Sequence, residues 1–227
     1  MGNADIPVAP QVAPETGHVL PKRGRPRSEQ ADRAILAAAA DLLAERGLAG
    51  MSIEEVASRA GVGKATIYRR WTSRGALALD AFLAEFQNQQ PLPDTGSLHD
   101  DLLTALRSWI RSVTRTSAGP VLAGLIAEAQ LDPALATAWR ERVVERLRAQ
   151  HKIMLDRAVA RGEISAKTDY DVVLDLMFGA AYHRLLHGHR PLTDVFARRV
   201  VDLIMAGLQE TGRAHAPATG RASLGSS

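Results

Sequence analysis

The stretch from Lys64 to Arg74 concentrates the residues with the clearest chemistry. It holds four cations (Lys64, Arg69, Arg70 and Arg74) and Tyr68, with no acid anywhere from Arg59 to Arg74. Ala65 and Thr66 follow Lys64, so a helix here is small at its start and basic toward its end. Residue types in that order suit a helix entering the major groove of DNA. Small and polar side chains can approach base edges, while cations and hydroxyls meet the phosphate walls. A helical pair that only packs has no need of such a cluster. Apolar Ile53, Val56, Ala57, Val62, Ile67 and Trp71 recur at helical spacing and predict a hydrophobic underside. A second basic island lies upstream at residues 21–27, with four positive charges and no acid. Its Gly24 and Pro26 predict a slim, extended arm. Arg25 and Arg27 would then enter a narrow minor groove, where the negative potential is deepest.

Other candidate chemistry is weaker. Gly61-Val62-Gly63-Lys64 looks like part of a phosphate-binding loop, but that motif needs Gly where Ser58 stands and Ser or Thr where Ala65 stands. His183 and His187 lie one helical turn apart, with His189 close behind, as a metal-binding pair would. No carboxylate or fourth ligand is near them, and no metal is expected. The absence of cysteine excludes disulfides, thiolate zinc sites, iron–sulfur clusters and a cysteine nucleophile. No Ser, His and Asp share catalytic spacing, so neither an enzyme nor a cofactor is expected.

Helices must position the basic cluster. Ser28 is predicted to cap the first, in which Ile35, Ala38, Ala39, Leu42 and Leu43 share a face until Gly47 ends it. Ser52, with Glu55 three residues on, predicts a capping box opening the second. A third runs from Lys64 to Trp71, and Ser73 caps a fourth that continues to Phe86. Pro91, Pro93 and Gly96 mark a break. Further helices are expected at 98–117, 120–131, 133–161, 169–187 and 193–209. No convincing period-2 run occurs. The fold class is therefore all-α, with about nine helices: an N-terminal three-helix helix-turn-helix DNA-binding domain and a C-terminal helical bundle. Residues 1–27 are predicted as a disordered arm with its basic hook at 22–27, and 28–90 as the DNA-binding domain, its motif at 52–71. Residues 97–210 make the bundle and 211–227 a disordered tail.

Composition agrees with that division. The 227 residues are 46% hydrophobic but only 4% aromatic, so the core should be mostly aliphatic. Net charge is +3. No apolar run approaches the roughly 18 residues of a membrane-spanning helix. The first twenty residues lack basic residues and a continuous apolar stretch, so no signal peptide is expected. A cytoplasmic protein with no membrane partner follows as the expectation.

Residues 28–86 resemble the DNA-binding domain of the tetracycline-repressor (TetR) family of bacterial transcriptional regulators. The resemblance rests on the Ala/Leu-rich first helix ending Glu45-Arg46-Gly47, the Ser52 cap, and Ala60-Gly61-Val62-Gly63-Lys64. It continues through Thr66-Ile67-Tyr68 and the aromatic Trp71 before Thr72-Ser73-Arg74. It implies that the third helix reads the major groove. Tyr68, Lys64 and Arg74 would hold phosphates, Ala65, Thr66, Arg69 and Arg70 would face bases, and Ser52 joins this DNA-binding set. Arg74-Gly75 departs from the Lys-Glu or Lys-Ala common in the family, and glycine there weakens the first turn by up to about 1 kcal/mol against alanine.

The resemblance also implies a bundle that binds a small effector and dimerises through its last two long helices. Gly179, Tyr182, Leu185, Phe196, Val200, Leu203 and Ile204 are the expected dimer residues, with Gly179-Ala180-Ala181 small enough for close helix approach. Trp109, Glu128, Trp139, Met154, Met177, Phe178 and His183 are the candidate effector-pocket residues, being large or polar on apolar faces. The implied function is a homodimeric repressor released from a pseudo-palindromic double-stranded operator by a small hydrophobic effector. A DNA-binding adaptor or an activator without a ligand shares the same DNA-binding features. The adaptor would show a collapsed pocket and an exposed apolar patch.

Overall fold

A computed structural model describes residues 25–86 and 92–214. Its helices are α1 (Arg25–Gly50), α2 (Ile53–Ala60), α3 (Lys64–Tyr68), α4 (Arg74–Phe86), α5 (Leu98–Arg115), α6 (Ala118–Ala129), α7 (Pro133–Trp139), α8 (Glu145–Ala160), α9 (Tyr170–His187) and α10 (Asp194–Ala214). A π turn, Arg140–Val144, joins α7 to α8 without a break, so the described residues form nine helical rods and no strand. Such a turn displaces the side chains beyond it by one position around the axis, and it is a feature often tied to function.

Local chemistry accounts for most boundaries. Ser52 caps α2 by accepting from the Glu55 amide at 3.2 Å, and Gly61 ends it in the left-handed region at φ 65°. The reciprocal half of the expected capping box is missing. Glu55 gives its carboxylate to Arg46 at 2.8 Å and Arg59 at 3.2 Å instead, because charged partners hold a carboxylate more strongly than an amide does. Asp132 caps α7, with Pro133 in its first turn, and Asp169 caps α9. Gly47 is where the α1 backbone departs from helix (φ 67°) before a last turn to Gly50.

The start of α1 corrects the sequence reading. The helix begins at Arg25, so Arg25 and Arg27 have helical backbone rather than an extended arm. Proline is tolerated in a first helical turn, so Pro26 does not oppose this. The rest of the expected hook, residues 22–24, lies outside the described residues, as do the remainder of the N-terminal arm and residues 215–227.

Two apolar clusters organise the rods. One joins α1, α2, α3 and α4 to α6, through Ile35, Leu42, Val56, Ile67, Leu79, Val121 and Leu125. The other joins α5, α8, α9 and α10, through Leu102, Leu106, Met154, Met177, Ala197 and Val201. The division expected near residue 91 is therefore not a division of the core. The DNA-binding helices rest directly on α6, a bundle helix.

Candidate nucleic-acid interface and cavity

Ile67 is fully buried and Trp71 nearly so, which fixes α3 against α1, α2 and α4 and decides which face it shows. Lys64, Ala65, Tyr68 and Arg69 are exposed along that face, Tyr68 at 53%, while Thr66 is half-buried. A tyrosine so exposed leaves its hydroxyl available to a phosphate. Lys64 donates to Glu54 at 2.9 Å, and this bond holds the Glu54 carboxyl below its ordinary range. Both side chains are more than half exposed, so the pair is weak and phosphate competes with it.

Two expected DNA contacts point elsewhere. Arg70 is only 19% exposed; its guanidinium pairs with Asp32 of α1 and donates to the Thr66 carbonyl at 3.3 Å. It braces α3 against α1 rather than facing bases. Arg74 donates to Glu128 of α6 at 3.2 Å, across 54 residues of chain. It ties the start of α4 to the bundle in the DNA-free chain, and Glu128, expected in the effector pocket, lines neither cavity of the bundle.

Behind α4 the bundle is hollow. A cavity of about 630 Å³ lies between α4, α5, α6, α8 and α9, and a second of about 360 Å³ lies between α6, the π turn, α8 and α9. Leu147, Phe178 and Tyr182 line both. Both volumes suit small-molecule sites, which span about 300–1,000 Å³. Trp109, edge-on to Tyr182 at 5.2 Å and to Phe178 at 6.3 Å, walls the larger. Trp139, tilted against Phe82 at 6.1 Å, walls the smaller.

A DNA-reading helix resting on a hollow bundle matches two family descriptions. Residues 35–81 match "Bacterial regulatory proteins, tetR family", and residues 92–204 match "Tetracyclin repressor-like, C-terminal domain". An uncharacterized HTH-type transcriptional regulator of Bacillus subtilis, YdeS, is 38% identical over 190 residues, 84% of this chain and 96% of that protein. The chain belongs to the TetR family of transcriptional regulators. A DNA-binding transcriptional repressor of Mycobacteroides abscessus, TetR, is 32% identical over 189 residues, covering 82% and 97% of the two chains. The crystal structure of a TetR family transcription regulator, SCO0332, superposes with a TM-score of 0.69 at 38% identity, covering 78% of this chain and 98% of that one. Regulators of this family bind operator DNA and small effectors, and act as dimers.

Within this TetR architecture the remaining expected residues separate into clear groups. Trp109, Trp139 and Phe178 line cavities. Met154 and Met177 are fully buried in the second core cluster and line neither cavity. His183 is exposed, its ring 4.7 Å from His187 and 4.9 Å from His189. No grouping with metal-ligand geometry occurs among the described residues. Of the expected dimer residues, Gly179 and Leu203 are exposed, Leu203 at 75%, and Val200 is half-buried. Phe196 and Ile204 are buried in the chain's own core, Leu185 packs against the first cluster, and Tyr182 turns inward onto Trp109. A helix face is settled by rotation, and a broadly apolar helix does not reveal from sequence which face its own bundle takes.

Sequence reasoning missed His151, Arg148 and Asp175 as cavity residues. It also missed Asp80, which accepts from the Trp71 indole at 2.7 Å and pairs with Arg142 of the π turn at 2.6 Å. Asp80 thus bonds the end of the recognition segment to the cavity wall. A polar residue within the apolar run Leu77–Leu83 was the available signal, since such a residue needs a partner.

Proposed function

We propose that this regulator is a homodimeric repressor that leaves its operator when a small hydrophobic or amphipathic effector fills the bundle. It acts in the cytoplasm, where its DNA is; no helix among the described residues is long and apolar enough to cross a membrane. The α3 helix of each subunit enters one of two successive major grooves. Ala65, Thr66 and Arg69 face bases, Tyr68 and Lys64 hold phosphates, and Ser52 stands beside them at the start of α2. Half-sites about 34 Å apart require a two-fold partner. Exposed Val172, Leu176, Val195 and Leu203 give α9 and α10 the apolar faces such a partner would cover.

The observation that carries ligand gating is the larger cavity, because Phe82 of α4 forms part of its wall. The same helix begins with Arg74 on Glu128 and carries Asp80 on Trp71. A ligand that presses on Phe82 acts on the helix from which the recognition segment hangs. A coupling of about 1–3 kcal/mol between the two sites would suffice for release. The repressor named among the relatives supports the sense of regulation. An open cavity disfavours the adaptor, which needs no interior space.

A thermal-shift screen of the purified protein against small apolar compounds tests this reading. Each hit is then assayed for release of a DNA fragment from upstream of its own gene. Compounds that both raise Tm and release DNA are expected; one at 100 times its Kd adds about 2.7 kcal/mol. DNA binding that no compound relieves would overturn ligand gating.

A further inference from the structure

Among the polar side chains lining the larger cavity (Thr104, Ser108, Ser112, Thr116, Gln150, His151 and Tyr182), the His151 imidazole has a hydrogen-bonding role fixed by its own backbone. His151 stands on α8, and its Nδ1 lies 2.7 Å from the carbonyl oxygen of Leu147. A carbonyl only accepts, so Nδ1 must carry the hydrogen. Burial pushes the imidazole below its ordinary pKa, so the ring is neutral and Nε2 keeps its lone pair. Nε2 takes no hydrogen bond from any described residue. The ring is held edge-on against Phe178 at 4.9 Å, with Phe178 and Tyr182 edge-on to Trp109, so three aromatic rings run on from the imidazole as one continuous wall.

Charge narrows the occupant further. No Asp or Glu among the described residues lines this cavity, so a cationic ligand finds no counter-charge among them. Among the described residues Arg111 is the one cation lining it, and it is exposed rather than interior. A carboxylate placed in the interior would therefore be desolvated opposite a neutral imidazole, which is costly. A neutral hydroxyl on an aromatic ring meets both demands: its O–H donates to Nε2, and its ring packs against the aromatic wall.

We propose that the larger cavity takes a neutral phenol-type aromatic ligand whose hydroxyl donates to Nε2 of His151. The assignment rests on the reading of this cavity as the effector site and specifies its ligand class. The Tyr182 phenol, pushed up to about 12 by burial, stays protonated as a further hydrogen-bonding wall group.

Isothermal titration of the full-length protein with biphenyl-4-ol, 4-methoxybiphenyl and biphenyl-4-carboxylate tests it. The phenol is expected to bind at least about tenfold more tightly than its methyl ether, about 1.4 kcal/mol, and more tightly than the carboxylate. His151→Phe keeps a ring against Phe178 but removes the acceptor, so the phenol and the ether should then bind alike. Equal binding of phenol and ether to the wild type would overturn the proposal, and that comparison needs no variant. A preference that survives in His151→Phe, a carboxylate that binds best, or no binding of the three would also overturn it. Gating fails separately. A phenol that binds with the expected preference yet leaves DNA bound refutes release but not the ligand class. A chemically different effector that releases DNA refutes the ligand class but not gating.

Discussion

Three arginines within six residues illustrate how similar side chains take different work from their surroundings. Arg69 is exposed on the outer face of the recognition segment, Arg70 is folded back onto Asp32, and Arg74 is held by Glu128. Arg69→Ala should therefore weaken operator binding and reduce the slope of log K against log salt by about one. Arg70→Ala should leave that slope unchanged and instead lower stability by about 1–3 kcal/mol, since a partly buried carboxylate loses its partner. Anisotropy titrations across a salt series, with melts of each variant, separate the two. A salt slope that falls equally for both would return Arg70 to the DNA face.

His99 gives a pH-dependent counterpart at the same scale. Hydrogen bonds to Asp100 and, across to α10, Asp202 raise its pKa above the ordinary imidazole value. The native state therefore holds the proton more tightly than the unfolded chain. The stabilisation is complete below the unfolded value of about 6.5 and is lost as pH rises through the raised folded value. His151 works in the opposite sense, since burial lowers its pKa and costs stability as pH falls. The difference between wild type and His99→Asn isolates the first effect. The Tm gap should be widest at acid pH and close as pH rises; a gap independent of pH would remove charge from the account.

At the scale of elements, α4 is the piece on which the DNA-binding and bundle halves meet. Gly75 looked like a weakness in its first turn. The structure gives it a purpose: a Cβ at Gly75 would lie 2.9 Å from Cδ2 of Leu135, a side chain that is itself buried. Helix propensity alone predicts that Gly75→Ala stabilises by up to about 1 kcal/mol. Steric contact predicts the reverse, because the buried Leu135 side chain must shift to admit the methyl group. A lower Tm for Gly75→Ala, measured by circular dichroism, is the expected result, and a higher one would show that α4 and α7 separate cheaply. The π turn adds a further link on this side of the molecule. It supplies Val143 to one cavity, Val144 to the other and Arg142 to Asp80.

At the scale of the whole molecule, one chain carries one recognition helix and leaves apolar surface uncovered on its last two helices. Val172, Leu176 and Leu203 are 51%, 56% and 75% exposed. Burying such surface across a two-fold axis gains about 25 cal/mol per Å² and places two recognition helices on one face. Leu176→Glu combined with Leu203→Glu should convert a dimer to a monomer in sedimentation, with helical content unchanged. Operator binding should then weaken sharply, because each half-site binds alone. A variant that stays dimeric would place the interface elsewhere.

Periodicity, caps and breakers along the chain were enough to determine the all-helical class, the helix borders to within a few residues in most cases, and the helix-turn-helix. Those features depend on neighbours three or four positions away, as Ser52 does on Glu55 and Ile67 on Trp71. Tertiary structure decided what depends on rotation and on distant partners. Arg74 finds Glu128 and Trp71 finds Asp80, while Phe196 and Ile204 turn inward as Leu203 faces out. It also decided that His151, unremarkable in the sequence, lines the larger cavity. A broadly apolar helix has several faces that could be buried, and only packing against the other helices selects one.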